Sequence, residues 1–325
     1  MCPADSRSDF AEREAQRMAG VARMAGLDRR LTKLADGHPS SPRYDEDSRR
    51  ADRRPLTDSE HAAHAADVKV RLADALKAGL ATHFGHTIDR HHDVWSDERE
   101  AMHDSIIDDL YGKADRVPRE YRAILAGGLA GAGKTTVLTQ HAGIDLRQYL
   151  IINPDQIKGE LARRGMIPEV KALSPMEAAQ LVHEESSHIS KRLAVRAQSD
   201  GRNVIWDITM ASRESTSRRI DALRTAGYTR IDAIFVDVPI ETSLRRADAR
   251  HRRGQDEYEG GRGLGGRFTL PELVRAQADP DWGSINRRHF DQLKSRFDAW
   301  SRYDNSVDGR VPLLVESSAR RELVT

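Results

Sequence analysis

Nine consecutive residues form the most informative chemical motif of the chain. The segment GLAGAGKTT contains the pattern G-x-x-x-x-G-K-[ST] directly after an apolar run and before a segment of helical period. Its glycines let backbone N–H groups surround phosphate oxygens, Lys134 can reach the β and γ phosphates of ATP, and the Thr135 hydroxyl can ligate Mg²⁺. The pattern therefore predicts an ATP-binding loop made of Gly128, Leu129, Ala130, Gly131, Ala132, Gly133, Lys134, Thr135 and Thr136.

Two carboxylates follow apolar runs further along the chain. Asp155 ends the run YLIINPD, and Asp207 ends the run NVIWDIT. Ligands of open parallel sheets bind at the carboxyl ends of the strands, so both side chains are expected near the phosphates. Asp155 is predicted to accept the proton of an attacking hydroxyl, and Asp207 to hold Mg²⁺ or contact substrate. Each could instead cap the next helix, although Thr209, itself a candidate substrate contact, or Ser212 could cap the helix after Asp207.

A polar cluster opens the amphipathic segment LVHEESSHISKRLAVRA. Glu184 and Glu185 lie in this cluster and are predicted to bind substrate hydroxyls. A zinc site is disfavoured because His183 and His188 are five residues apart, which places them on different faces of a helix. The histidines between residues 83 and 92 are interpreted as a polar helix face.

An arginine-rich segment with many glycines begins at residue 243, in SLRRADARHRRGQDEYEGGRGLGGRFT. Guanidinium groups suit the charge that develops on a transferring phosphoryl group, and glycines allow a loop to close over it. The segment is therefore predicted to be a movable lid. A nucleic-acid groove is disfavoured, because no series of aromatic residues accompanies the arginines.

The surrounding sequence supplies the elements that must position these residues. Apolar runs alternate with amphipathic stretches, which is typical of βαβ units and a parallel sheet. Residues 1–55 are predicted to be a charged extension and linker, partly helical or disordered, and residues 56–94 a helical region before the main domain of residues 95–325. Five runs predict a five-stranded parallel sheet, at residues 121–128, 149–155, 203–209, 231–239 and 311–317.

Composition limits the classes of function. The chain has 325 residues, a net charge of +1 and 32% charged residues, so no overall field favours nucleic acid or a membrane surface. The lone Cys2 and the absence of a signal-like or membrane-spanning apolar run lead us to expect a cytoplasmic protein.

Taken in order, the loop GLAGAGKTT, INPDQIK, HEESS, VIWDITMAS and ARHRRG…GGRFT resemble the zeta toxin family of bacterial kinases. The resemblance implies a three-layer α/β fold of the P-loop nucleotide-kinase type, preceded here by a helical N-terminal extension. It implies transfer of the ATP γ-phosphate to the 3′-hydroxyl of the sugar in UDP-N-acetylglucosamine, and a partner antitoxin. By position it also implies catalytic roles for Lys134, Asp155, Arg250 and Arg267, and contact of the amino sugar by Glu184 or Glu185.

The sequence departs from the founding members of that family at several places. Ala130 and Ala132 replace Pro and Ser in the loop, and Asp207 replaces Glu. The N-terminal extension has no counterpart in the minimal toxins, so residues 1–90 could restrain the kinase in cis. Two alternatives stay open: a kinase of another hydroxyl, such as an antibiotic, a nucleoside or an RNA 5′ end, or an ATP-regulated interaction module without catalysis.

Overall fold

The alternation of apolar runs and amphipathic stretches produces one central β-sheet covered by helices on both faces. The computed structural model describes residues 54–89 and 94–318. Nearly all of the predicted extension at residues 1–55 lies outside the described residues. Within the described ranges, every helix is too short or too polar to span a bilayer.

Three sheets contain all the strands of the described residues. The main sheet has six strands in the order β10-β9-β6-β3-β5-β4, and two short hairpins, β1-β2 and β7-β8, lie outside it. The strands are β1 (Thr87–Asp89), β2 (Val94–Trp95), β3 (Arg122–Gly127), β4 (Leu150–Ile152), β5 (Val204–Asp207), β6 (Arg230–Asp237), β7 (Ala278–Asp279), β8 (Gly283–Ser284), β9 (Ala299–Asp304) and β10 (Leu313–Ser317).

The predicted α/β fold class is confirmed, with one correction to the sheet. Five strands are parallel, as expected, but the fifth is β9, which pairs with β6. The last predicted run instead forms β10, which pairs antiparallel with β9 as a sixth strand at the edge. The sequence of β9, AWSRYD, was missed because its polar residues interrupt any apolar run.

The core lies on both faces of β3, as expected for a parallel sheet covered by helices. Leu125 and Phe235 face one cluster of buried apolar side chains. Ile124 and Val236 face a second cluster, on the side of the helical segment after the phosphate loop.

The helices of the described residues are α1 (Asp58–Lys77), α2 (Thr82–Gly85), α3 (Asp97–Gly112), α4 (Lys134–Thr136), α5 (Pro154–Arg163), α6 (His183–Ser199), α7 (Arg213–Thr225), α8 (Ile240–Glu259), α9 (Pro271–Arg275) and α10 (Ile285–Leu293).

Helix α1 is joined closely to this core. Thr57 and Glu60 form a reciprocal capping box at its first turn, which satisfies backbone N–H groups that would otherwise lack partners. Leu72 and Ala75 then enter the same apolar cluster as the strands. The predicted boundary near residue 95 falls within the β1-β2 hairpin. The division into a helical region and a kinase domain therefore stays a prediction.

Candidate active site

The predicted phosphate loop connects β3 to α4 in a conformation that depends on glycine. Gly128, Gly131 and Gly133 have φ angles of 136°, 71° and 85°, which side chains rarely adopt. A Cβ added at Gly128 would lie 2.3 Å from the Val236 carbonyl oxygen, and one at Gly133 would lie 2.5 Å from Nδ2 of Asn305. The helical segment then begins at Lys134 and continues through a π-helical turn over Val137–His141. The loop thus has the backbone cradle that a phosphate chain requires.

The loop is held from outside through its carbonyl groups at residues 130–132. The Ser243 hydroxyl donates to the carbonyl of residue 130 at 2.6 Å, and Arg246 donates to the carbonyl of residue 131 at 3.5 Å. Nδ2 of Asn305 donates to the carbonyl of residue 132 at 2.8 Å. Asn305 follows β9 and therefore braces the loop from the strand that the sequence pattern missed.

We expect Asn305→Ala to weaken ATP binding about fivefold, because the loop would lose one hydrogen bond of about 1 kcal/mol. Isothermal titration with ATP measures this effect. Ser306→Ala is the matched control, since the Ser306 side chain bonds to Asp304. Equal dissociation constants for the two variants would show that the loop keeps its conformation without Asn305.

Lys134 and Asp207 meet beside the loop. Nζ of Lys134 lies 3.2 Å from the Gly128 carbonyl oxygen and 3.3 Å from Oδ1 of Asp207. Nδ2 of Asn153 donates to the other oxygen of Asp207 at 2.9 Å. The lysine side chain is 13% exposed. Three neighbouring strand ends, β3, β5 and β4, therefore converge here, as the strand-end rule predicts.

Asp155 lies in the first turn of α5. The Asn153 side chain caps this helix by accepting from the backbone N–H of Asp155 at 2.8 Å. The Asp155 carboxylate is 43% exposed, forms an ion pair with Arg267 and lies 3.6 Å from Nζ of the buried Lys158. Because Asn153 is the cap, the carboxylate of Asp155 pairs with these cations and does not cap the helix.

The charges around Asp155 determine its protonation state. Desolvation alone would raise the pKa of Asp155, but the positive charges of Lys158, Arg267, Arg250 and Lys134 outweigh it. The pKa of Asp155 is therefore lower than usual, and the group is a carboxylate at neutral pH. A carboxylate surrounded by cations can accept a proton and also leave those cations ready to bind phosphate oxygens.

Two of the lid arginines reach this cleft. Arg250 is on α8, and burial lowers its pKa to about 10, so it stays charged at neutral pH. Its Nε and Nη2 atoms are buried without hydrogen-bond partners in the described part of the chain. Arg267 lies in the loop after α8, where the backbone N–H of Met176 donates to the Leu264 carbonyl at 3.0 Å. Among the other arginines on α8, Arg245 and Arg246 pair with Asp308, and Arg252 pairs with Asp58.

The remaining predicted residues do not all join this group. Thr135 is exposed at the first turn of α4, and Thr209 is exposed after β5. The backbone N–H of Gly128 donates to the Thr209 carbonyl at 3.4 Å, so Thr209 adjoins the loop. Glu184 is partly exposed at the start of α6, and its negative charge acts to raise the pKa of Lys158. Glu185, in contrast, lies away from the cleft.

Glu185 is fully buried between α6 and α3. Its Oε1 lies 2.8 Å from Nε2 of His103 and 3.0 Å from Nε of Arg99. Burial would raise the pKa of Glu185, but the His103 hydrogen bond and the Arg99 charge lower it. The structure therefore places Glu185 where it can stabilise the fold and where substrate has no access.

We expect Glu185→Ala to reduce the free energy of unfolding by about 3–5 kcal/mol, because Arg99 would be left buried without its counter-charge. Glu184→Ala is the matched control, and we expect it to cost less than about 1 kcal/mol. Urea denaturation measures both. Equal stabilities would show that the buried pair contributes no more than a surface charge.

Three residues of the site were not predicted from the sequence. Asn153 precedes Pro154, a pattern that signals a helix N-cap, and could have been recognised. Lys158 follows Asp155 at helical spacing, which places the two side chains on one face of α5. Asn305 carries no local signal, since only the sheet order brings it to the loop.

The fold and this group of residues define a P-loop protein of the nucleotide-kinase type. The chain belongs to the zeta toxin family, because the model of that family, described as zeta toxin, matches residues 108–280, more than half of the sequence. Members of the family are kinase-like phosphotransferases, and the chain is therefore one of them. Comparison with curated proteins found no match.

Solved structures share the fold at low sequence identity. A crystal structure of AvrRxo1-ORF1:AvrRxo1-ORF2 with sulphate ions is 18% identical, has a TM-score of 0.53 and covers 69% of this chain and 68% of its own. The same complex with ATP gives the same values. The PezAT toxin-antitoxin system of Streptococcus pneumoniae is 17% identical over 69% of this chain and 81% of its own, with a TM-score of 0.47. At these identities the AvrRxo1-ORF1 comparisons indicate a common fold.

Proposed function

We propose that the chain is a toxin kinase that transfers the γ-phosphate of ATP to a sugar hydroxyl of UDP-N-acetylglucosamine. One observation carries the kinase proposal: Lys134 pairs with Asp207 beside the phosphate loop, and Asp155, which pairs with Arg267, lies near enough for the charge of Lys134 to lower its pKa. The first pair suits the donor phosphates, and the second suits an acceptor hydroxyl and the phosphoryl group that it receives.

The donor side is formed by the loop and the residues next to it. The backbone cradle at Gly128 and Gly133 has room only for a glycine and fits phosphate oxygens. Lys134 would exchange its contact with Asp207 for the β and γ phosphates. The Thr135 hydroxyl and the Asp207 carboxylate fit Mg²⁺, which prefers oxygen ligands and keeps several waters. Bound there, Mg²⁺ would neutralise negative charge on the β and γ phosphates.

The acceptor side depends on Asp155. Its carboxylate orients the substrate hydroxyl and takes its proton as the hydroxyl oxygen bonds to the γ-phosphorus and the bond to ADP breaks. Arg267 must leave Asp155 for this step, and together with Arg250 it then binds the oxygens of the transferred group. The unpaired buried N–H groups of Arg250 support this assignment, because they have hydrogen-bonding capacity for a phosphate.

The acceptor itself is proposed from the family resemblance, with Glu184 and Thr209 as candidate contacts. Phosphorus NMR of UDP-N-acetylglucosamine with ATP and Mg²⁺, using wild type, Lys134→Ala and Asp155→Ala, tests it. We expect a new sugar-phosphate resonance with the wild type only. Absence of that resonance in the wild type, with phosphorylation of an antibiotic, a nucleoside or an RNA 5′ end in parallel, would identify another acceptor. ATP binding without turnover on every acceptor would favour the interaction module.

We also propose an antitoxin partner, on the family resemblance, and a restraint in cis by α1. Helix α1 contacts the helix that carries Arg250: the Arg252 side chain donates to Asp58 and to the Leu56 carbonyl oxygen. Since α1 also contributes Leu72 to the main core, deleting residues 1–90 would damage the fold. The restraint is therefore tested better by changing contacts than by truncation.

If α1 restrains α8, Arg252→Ala should raise the turnover rate about two- to fivefold, because it removes the two hydrogen bonds that hold α8 to Leu56 and Asp58. A coupled ADP-release assay measures the rate, and Arg245→Ala, which removes one of the two ion pairs of Asp308, is the control. An unchanged rate for Arg252→Ala would indicate that α1 serves the fold alone.

A further inference from the structure

A buried group of histidines lies beside the proposed kinase site, and no step of the proposed reaction uses it. The group consists of His61 and His64 on α1, His251 on α8 and Glu177 in the segment before α6; we call it the histidine cluster. All four residues are less than 9% exposed. Buried imidazoles and carboxylates are uncommon, so their convergence from three separate elements needs an explanation.

One carboxylate oxygen is shared by two of the imidazoles. Oε1 of Glu177 lies 2.6 Å from Nε2 of His64 and 2.8 Å from Nε2 of His251. The other oxygen of Glu177 accepts from the backbone N–H and the hydroxyl of Ser174, at 2.8 Å and 2.9 Å. An outer hydrogen-bond shell of this kind orients the carboxylate of a metal site.

His61 can supply a third nitrogen, because its ligand atom lies within 4.8 Å of those of His251 and Asp248. It precedes His64 by three residues on the same face of α1, and its ring centroid lies 5.2 Å from that of His251. Its present partner is Asp248, at 3.2 Å, whose side chain is 61% exposed and would lose little by returning to water.

A network of hydrogen bonds alone explains part of this arrangement. It leaves the Nδ1 atom of His61 buried without a partner among the described residues. It also directs two donors at a single oxygen while the ligand atoms of His64, Glu177 and His251 all lie within 4.8 Å of one another. In a tetrahedral site with metal–ligand distances of about 2.0–2.1 Å, neighbouring ligand atoms are about 3.3 Å apart. Small side-chain shifts would bring these three atoms to that spacing.

We propose that His64, Glu177 and His251, with His61 as the fourth ligand, bind a divalent transition metal ion of the zinc class. Imidazole and carboxylate ligands without thiolates suit Zn²⁺ and Co²⁺. Such an ion links α1, the segment around Glu177 and α8, which also carries Arg250. The site would therefore fix the lid helix to α1 and to the segment around Glu177.

Metal titration of the full-length chain tests the site. Metal-free protein, held in excess Mg²⁺ to occupy the phosphate loop, is titrated with Co²⁺ while its visible absorption is followed, and Zn²⁺ affinity is measured by competition with a chromogenic chelator. We expect one tight site with the strong absorption of tetrahedral Co²⁺. His251→Gln should weaken Zn²⁺ binding at least about 100-fold, and His61→Gln about 10-fold.

His188→Gln is the matched control, because His188 belongs to a second group that could hold a metal, with Glu100 and His103. The Zn²⁺ affinity of His188→Gln should equal that of the wild type. If His251→Gln does not fold, X-ray absorption of the Zn²⁺-loaded wild type tests the site by counting the imidazole ligands of the ion. The Zn²⁺ affinity of His61→Gln then shows whether those ligands belong to the histidine cluster. Wild-type protein without a tight site, or loss of binding in His188→Gln alone, would overturn the proposal.

Discussion

Lys134→Ala should lower the rate of phosphoryl transfer at least about 100-fold while the protein stays folded. The lysine has its ammonium group 3.2 Å from the Gly128 carbonyl and 3.3 Å from Asp207, beside the glycine cradle. A cation held there acts on charge that develops during the transfer, and removing such a group commonly costs about 100- to 1,000-fold or more. The fold should tolerate the change, because Asn153 still donates to Asp207.

Turnover with saturating ATP and a coupled ADP assay measures this effect, and thermal melting checks the fold. Lys69→Ala is the control: its ammonium pairs with Glu272 on the surface, and its rate should match the wild type. A Lys134→Ala rate within tenfold of the wild type would remove the lysine from the proposed mechanism. It would also indicate that the donor phosphates bind somewhere other than the predicted loop.

Much of the donor side could be predicted because its signals are local. A glycine pattern after an apolar run predicts a strand, a loop and a helix start within about 15 residues, and each preference depends on neighbouring residues. The family and the fold class predicted in this way are confirmed. The placement of Asp155 and Asp207 near the loop also follows, because parallel strands end at one edge of the sheet.

The rest required contacts that sequence spacing does not encode. Strand β9 carries the polar residues of AWSRYD at positions that pair with other charges, as Arg302 does with Asp237. An apolar pattern is therefore absent although the strand is central enough to bring Asn305 to the loop. The burial of Glu185 depends on Arg99 and His103, from a helix more than 70 residues earlier, so its neighbour Glu184 looked equivalent from the sequence.

The histidine cluster illustrates the same limit. His61 and His64 are three residues apart, but Glu177 and His251 come from distant segments. The segment considered for zinc in the sequence was instead HEESSH, and its His188 faces α3 and Trp95. Local spacing finds ligands that share a helix, whereas a site assembled from three elements becomes visible only after the core has brought those elements together.

Asp155→Asn should reduce turnover about 100- to 10,000-fold with little change in ATP affinity, because the amide keeps the shape of the carboxylate but cannot accept the proton. Arg267 and Lys158 would lose their counter-charge, so the free energy of unfolding should also fall. Steady-state kinetics and urea denaturation separate the two effects. Asp221→Asn, which breaks an exposed pair with Arg296, is the control and should retain full turnover.

The pH dependence sharpens this prediction. The folded-state pKa of Asp155 is below its ordinary value of 3.8, so the carboxylate form is complete above that value, and its stabilising pairs are lost only as the pH falls through the lowered pKa. Wild-type kcat/KM, which reports the protonation state of the free enzyme, should therefore show no loss from Asp155 between pH 5 and pH 8. An acid limb near pH 6 that disappears in Asp155→Asn would contradict the assignment, because it would mean that the catalytic carboxylate is protonated where the surrounding cations should keep it charged.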